Sequence, residues 1–418
     1  MNIWYLNHYA NTPSIGIPGR PYALATNLQK WGHNVLIIRA SYYHGIQPTP
    51  VDAYDRQMKY DGIDYYHIPT RIYQGNGLGR LMNMLDYSRG VRKLAEKIDK
   101  KELIKPDVLI PSCVHPLTFP PALFLARKYK AKLIYEVRDI WPLSLVELLG
   151  VPSYHPLVLW FGQIEKKAYH EADAVVSLVP NAFEHMGPLG LDKRKFNFIP
   201  NGIDRQEWMG CPATLPSGHE KTIRKIKEEG KLTVLYTGAH GPPNALDQIL
   251  DLAKINGGDK PRPYHFVFIG DGIAKDILMR RVKDEGISFV SFLPKITKAQ
   301  VISVLALADV CFVASQKKDI YKYGTSPNKL GDYFMSAKPV LNALYSAGRI
   351  NNDYVAQANA GISVESYNTR EIENALQRFC AMTSDERRHM GENGRRYALQ
   401  NLDWEVLGRR YASLCESL

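Results

Sequence analysis

The chain has 418 residues, 45% hydrophobic and 23% charged, which suffices for two hydrophobic cores and excludes a disordered or fibrous chain. Its net charge of +11 favours anionic partners: a phosphate-bearing ligand, an anionic membrane surface or nucleic acid. The five cysteines (Cys113, Cys211, Cys311, Cys380, Cys415) are scattered without a Cys-x-x-Cys pair, which argues against a disulfide framework or a zinc site and fits a reducing compartment.

The opening residues Asn2-Ile3-Trp4-Tyr5-Leu6-Asn7 lack the basic flank and long apolar run of a signal peptide and read as a strand over 3–7. The following loop carries Gly16 and Gly19 ahead of a helical pattern over 22–31, with the helix expected to open at Pro21. Its N–H groups suit a phosphate; the spacing is not Gly-x-Gly-x-x-Gly, so a nicotinamide cofactor is disfavoured. The same loop also reads as an ordinary strand-to-helix turn. A second strand is expected over 35–39. Residues 78–105 place Leu81, Leu85, Val91, Leu94 and Ile98 at helical spacing beside Arg80, Arg89, Arg92, Lys93 and Lys97. Such a helix either packs on the sheet or rests on an anionic bilayer, assisted by residues 155–161 with Trp160. No stretch approaches the roughly 18 apolar residues of a spanning helix, so a cytoplasmic protein is expected, with any membrane contact peripheral on the inner face.

Further strands are expected over 108–110, 133–137 and 174–178. His115 follows the first of these, where a neutral imidazole contacts a sugar hydroxyl or accepts a proton. Glu136, Arg138, Asp139 and Trp141 end the next; they read as a polar-substrate site or as a structural Glu–Arg pair. After a Lys-rich stretch over 212–231 the pattern resumes, with strands at 232–236, 265–269, 310–313 and 339–341. Alternating strands and helices define an α/β chain of two doubly wound, Rossmann-like domains, 1–205 and 206–403, with ligands outside the carboxyl ends of the strands. Facing each other, they would enclose a central cleft.

Three segments of the second domain suit a nucleotide. Gly238, His240 and Gly241 precede a helix expected from Ala245, and Gly270-Asp271-Gly272 forms a strand-to-loop turn. Most informative is Gly324-Thr325-Ser326-Pro327-Asn328-Lys329-Leu330-Gly331-Asp332-Tyr333. Ser326 reads as N-cap and Pro327 as first helical residue, so Asn328 and Lys329 offer N–H donors and a cation for a diphosphate. Asp332, one turn on, offers a carboxylate for ribose hydroxyls. A capped structural helix is the plainer reading.

Gly324 to Asp332, followed by Ala337-Lys338-Pro339-Val340, resembles the donor-binding segment of the retaining glycosyltransferases of family four, in the bacterial branch that makes surface polysaccharides. Arg20-Pro21, Trp31 to Val35, Ser112 to Pro116, Glu136 to Pro142, Glu165 to Asp173 and Ile199 to Asp204 are similar to that family as well. The resemblance implies a twin-Rossmann (GT-B) fold whose last helix, 404–418, crosses back onto the first domain. It implies transfer from a nucleoside diphosphate sugar, with uridine favoured, without metal or cofactor. The diphosphate would lie near Lys329 and the glycine loops, the ribose at Asp332, the sugar near His115 and Asn328. The acceptor, a saccharide or polyprenyl-diphosphate-linked saccharide, would meet Arg20, Glu136, Arg138 and Asp139. Two family glutamates eight positions apart are here Gly324 and Asp332, and an Arg–Lys pair is replaced near Ala239 and Ala245. Phosphate neutralisation therefore falls to Lys329, the helix dipole, and Arg20 or Lys318. Front-face attack is expected, with His115 orienting the sugar. The competing classes are a nucleotide-sugar epimerase or phosphorylase and a nucleic-acid binder. The carboxylate pair, the pyridoxal-binding lysine and the aromatic-basic module that these need are not identifiable.

Overall fold

The computed structural model describes residues 1–15, 19–44, 46, 54–255 and 261–418. The chain divides into two compact units, Met1–Asn201 with Trp404–Leu418, and Gly202–Asp403.

The first unit holds β1 (Asn2–Leu6), β2 (Asn34–Ala40), β3 (Gln57–Tyr60), β4 (Ile63–Ile68), β5 (Val108–Cys113), β6 (Lys132–Val137), β7 (Ala174–Ser177) and β8 (Phe196–Phe198). They form one sheet in the order β3-β4-β2-β1-β5-β6-β7-β8, parallel except for the β3–β4 hairpin. The central strands are buried along nearly their whole length because helices cover both faces, hence their unbroken apolar runs. β3 and β4 were not expected; their signal is Asp61-Gly62, whose positive φ values (47° and 82°) make the two-residue turn a hairpin needs. The chain winds outward from β1 to β4, then returns to lay β5 beside β1. That reversal brings the residues after β1 and β5 together at the carboxyl edge of the sheet.

The last helix, Trp404–Glu416, belongs to this unit and packs on helix Gly19–Lys30. Gly408 permits the approach, since a Cβ there would stand 2.5 Å from Asn27 Cβ. Trp404, Leu407 and Tyr411 join Ile3, Leu24, Leu28 and Ile110 in one core, each large side chain contributing about 1.5–3 kcal/mol by leaving water. Helix Gly19–Lys30 opens two residues before the expected Pro21. Helix Leu78–Asp99 buries Val91, Leu94 and Ile98 inside the unit, so the apolar face available to a bilayer in sequence is largely spent on the protein's own core.

The second unit holds β9 (Leu232–Thr237), β10 (Tyr264–Ile269), β11 (Val290–Leu293), β12 (Val310–Ala314), β13 (Val340–Ala343) and β14 (Gly361–Ser363). The order is β11-β10-β9-β12-β13-β14, all parallel, so this winding reverses between β9 and β12. Val234, Phe266, Phe268, Phe312 and Leu341 build its core with Leu376 and Phe379 of helix Thr369–Ala381. Helix Asn328–Met335 packs on helix Ser384–Asn401 at Gly391, where a Cβ would fall 1.9 Å from the Ala337 carbonyl oxygen. Among the described residues no helix is long and apolar enough to cross a membrane.

Candidate functional site

The β9–β12 reversal gathers the nucleotide candidates of the second unit. After β9 the chain turns through Gly238, whose φ of +140° a side chain would resist, and is clamped to the turn after β10. Gly238 N donates to Ile269 O at 3.0 Å and His240 N to Asp271 O at 2.8 Å. Contact is so close that a Cβ on Gly270 would lie 1.9 Å from the Gly238 carbonyl oxygen. His240 is buried with neither ring nitrogen hydrogen-bonded, and desolvation, helped by Lys275 and Lys329, pulls its pKa down to about 4. It is therefore neutral at physiological pH. The helix expected from Ala245 is instead two 3₁₀ turns around the single turn Asp247–Leu250, because Ala245 takes φ +48°. Gly241 thus opens no long helix, and the dipole expected there for phosphate is lost.

Helix Asn328–Met335 starts one residue later than expected: Pro327 is the N-cap, extended at φ −74° and ψ 121°, and makes no side-chain cap bond. Asn328 is exposed at the first turn, with Ser326 and Pro327 half-buried before it. Lys329 does not extend into solvent. Its Nζ donates to Tyr236 Oη at 2.8 Å and to Asn244 Oδ1 at 2.5 Å, and lies 4.4 Å from the Tyr236 ring centroid. Burial pulls its pKa down to about 7. The glycine at 238 is exposed and leaves one side of this amine open: a Cβ there would sit 3.4 Å from Nζ. Asp332 is paired with Lys298, Nζ to Oδ1 2.5 Å, and Lys298 also approaches Glu207 at 3.7 Å. Burial raises the Asp332 pKa against the pull of Lys298.

In the first unit the expected acceptor residues separate into two groups. Glu136 is wholly buried. Its Oε1 accepts from Tyr5 Oη and, at 2.8 Å, from Ser112 Oγ; its Oε2 accepts from Arg20 Nε at 2.9 Å and Tyr411 Oη at 3.2 Å. Arg20 spends its remaining fork on Pro200 O at 2.6 Å and Ile199 O at 3.1 Å. Opposite charges with every lone pair used form a structural knot, so Arg20 and Glu136 are corrected from acceptor contacts to interior fasteners. Arg20 is likewise unavailable to a diphosphate. Arg138 is half-buried and Asp139 exposed, and both remain reachable. Gly16 lies outside the described residues, and Gly19, at φ +64°, is the first residue of its helix.

His115 lies two residues beyond β5, which runs on through Pro111 to Cys113, and is fully buried rather than poised on the surface. Its Nε2 shares a 2.6 Å hydrogen bond with Nδ1 of His8, the residue two past β1, and His8 stacks on Tyr87 at 4.6 Å. Desolvation lowers His115 to about 3 and His8 well below its ordinary range, so both rings are neutral. One therefore donates and the other accepts; His115 Nδ1 and His8 Nε2 remain without a partner.

The first half of the chain, residues 16–202, matches the glycosyl transferase 4-like domain, and residues 219–397 match the glycosyl transferases group 1. The chain belongs to the family-four type of glycosyltransferase. Solved structures with the same twin-Rossmann fold span its whole length. HepE from Anabaena in complex with UDP and glucose has TM-score 0.67 at 14% identity, covering 100% of this chain and 100% of that one. The E. coli trehalose-6-phosphate protein bound with UDP-2-fluoro glucose has TM-score 0.72 at 12% identity, covering 100% and 99%. WaaG, a glycosyltransferase involved in lipopolysaccharide biosynthesis, has TM-score 0.62 at 14% identity, covering 99% and 99%. A comparison with curated protein sequences finds no significant match.

Several partners in this glycosyltransferase escaped the sequence reading. Tyr236 and Asn244 hold Lys329, Lys298 holds Asp332, and His8 holds His115. Tyr236 and Asn244 bound the glycine loop after β9 and His8 opens the first loop, so the motifs include them, but nothing in the sequence marks which side chains they hold. Lys298 starts a helix 34 residues before Asp332 and lies in no motif. A pocket of about 520 Å³ at the carboxyl edge of β13 and β14, lined by Lys317, Tyr345, Arg349 and Glu365, contains none of the expected site residues.

Proposed function

We propose that this glycosyltransferase moves a sugar from a nucleoside diphosphate, UDP by preference, to a saccharide acceptor with retention of anomeric configuration. The observation that carries the reading is Lys329: an amine held at the mouth of the Gly238 turn, at the strand reversal where doubly wound sheets take ligands. A diphosphate beside it draws a proton onto the amine, converting a half-charged group into a full countercharge. The UDP complexes of HepE and of the E. coli protein support uridine as the base.

In the reaction the bond between the anomeric carbon and the diphosphate oxygen breaks as the acceptor hydroxyl attacks from the same face. The departing phosphate oxygen takes the hydroxyl proton, and a new C–O bond forms at the anomeric carbon. Lys329 and the N–H groups at the start of helix Asn328–Met335 stabilise the leaving charge. Neutral His115 offers Nδ1 to a sugar hydroxyl, and Asp332 exchanges Lys298 for, or shares it with, the ribose. His240 closes the donor loop rather than contacting charge. The reading needs no metal or cofactor.

The acceptor is assigned as a lipid-linked saccharide of surface-polysaccharide synthesis, with Arg138 and Asp139 as its contacts. WaaG's role in lipopolysaccharide synthesis supports this. So do Leu149, Tyr154, Leu159 and Trp160, exposed along one segment, of which Trp160 lines a pocket with Arg92 and Lys167, a surface suited to a bilayer's inner face. A thermal-shift panel of nucleoside diphosphates tests the donor: UDP at 100 times its dissociation constant adds about 2.7 kcal/mol of stability. No shift with any nucleotide removes the proposal.

A further inference from the structure

A second polar cluster of the first unit, separate from the Glu136 knot, adjoins His8, whose backbone carbonyl accepts from Ala40 N at 3.2 Å. Arg39 and His67 are direct cross-strand neighbours near the carboxyl ends of β2 and β4. They continue the sheet face carrying Val35, Ile37, Ile63 and Tyr65, one step beyond the end of its apolar core. Both are 0% exposed. Arg39 Nε donates to the Ala40 carbonyl at 3.0 Å, but Nη1 and Nη2 have no partner, and neither ring nitrogen of His67 has one. Among the described residues no carboxylate pairs with Arg39. The hydroxyls nearest in the cluster are committed elsewhere: Tyr43 donates to Asn11 Oδ1 and Tyr65 to the Asn11 carbonyl. Tyr43 instead offers its ring face, 6.0 Å from the Arg39 guanidinium carbon, and the Tyr60 ring stands 5.9 Å from that of His67.

A buried guanidinium with its outer fork unpaired is among the costlier arrangements a fold can hold, and proteins keep one where it meets an anion. The contrast with Arg20, saturated by a carboxylate and two carbonyls in the same unit, shows that this sequence pairs an arginine when its role is structural. We propose that Arg39 and His67 form an oxyanion-binding site: the Nη1/Nη2 fork grips two oxygens of a carboxylate or phosphate, and the neutral imidazole of His67 supplies a third N–H. The tyrosine rings limit the ligand to a compact group. Carboxyl edges of parallel strands are where such folds take ligands. That the oxyanion belongs to the acceptor, an acidic or phosphorylated saccharide, rests on the sugar-transfer reading above; the anion site itself does not.

Thermal-shift titrations of the whole chain with sodium phosphate and with sodium glucuronate, at ionic strength fixed with sodium chloride, test it. The wild type is expected to show a saturable rise in Tm with at least one anion. Phosphate alone points to a phosphorylated acceptor, glucuronate alone to an acidic sugar, and both to a site that reads the oxyanion only. Arg39→Met is expected to lose roughly tenfold or more in anion affinity while binding UDP as the wild type does. Should Arg39→Met not fold, Arg39→Lys keeps the charge and loses the fork, and its anion affinity falls while UDP affinity holds. No anion effect beyond chloride in the wild type, or an equal response in the variants, overturns the site. A loss of UDP affinity on substitution of Arg39 assigns the group to the donor and overturns the acceptor assignment. Failure of UDP to bind the wild type, with the anion response intact, strikes the sugar-transfer reading and leaves the site standing.

Discussion

Around Glu136, inside β6, the charged groups of the first unit close upon one another, whereas those beyond β12 in the second unit stay within reach of solvent. Glu136 accepts from Tyr5, Ser112, Arg20 and Tyr411, and Arg20 ties down two carbonyls as well. That network fastens the last helix to the sheet and to the chain leaving β8. Lys329, by contrast, has only a phenol and an amide for company, and Asp332 a lysine on another helix. Two units of one architecture thus use similar residue types for different ends. Saturated charge serves as scaffold; undersaturated charge, with a shifted pKa, serves as site.

The sharpest way to break this contrast is to remove one member from each side. Glu136→Ala leaves Arg20 buried without its counterion and is expected to destabilise the first unit by about 3–5 kcal/mol in urea denaturation. A loss below about 1 kcal/mol would show the knot to be dispensable. Lys329→Ala is expected to do the reverse. Turnover at saturating donor falls by about 10²–10³, the cost of losing one group that stabilises a developing anion, while the urea midpoint at neutral pH does not fall, since the fold no longer holds an amine whose charge burial disfavours. Near-normal turnover would place the phosphate elsewhere.

The sequence made the winding legible because buried parallel strands announce themselves as short apolar runs, and all nine expected strands are present within a few residues. The edge strands β3, β8, β11 and β14 escaped because half-exposed strands of three or four residues have weak patterns, as in Phe196-Asn197-Phe198, and the buried β4 escaped because Asp64 and His67 interrupt its apolar run. Lys329 was visible from the Ser-Pro-Asn-Lys start of its helix. Its low pKa was not, since that depends on burial against Tyr236, 93 residues away. Glu136 and Arg138 looked equivalent by strand alternation. Only packing distinguishes them: Tyr411, 275 residues on, closes over Glu136, while Arg138 lies past the strand end.

A smaller effect sharpens the same contrast through pH. With Lys329 near 7 in the free protein, a bound diphosphate raises its pKa, so binding takes up a proton above pH 7. UDP affinity is expected to be flat below that point and to weaken about tenfold per pH unit above it, until the pKa of the complex is passed. Lys329→Arg, charged throughout, should flatten the profile. Stability runs the other way: the unfolded lysine keeps its proton to about 10.4, so the folded state gains stability as pH rises across that window. Calorimetry in two buffers of different ionisation enthalpy reads the proton uptake directly. Smallest of all is the membrane term. Lys167→Ala should reduce flotation with anionic vesicles by the roughly 1 kcal/mol that one basic residue near an anionic surface contributes, with UDP affinity unchanged. Equal flotation on neutral and anionic vesicles would remove the electrostatic part.

The central claim is that the amine of Lys329, at the mouth of the Gly238 turn, neutralises a nucleotide's diphosphate. Isothermal titration of UDP into the wild type and into Lys329→Ala at pH 6.5 measures it most directly. Saturable binding that weakens tenfold or more in the variant is the expected result. Equal affinity in the two proteins, or no binding to either, would contradict it.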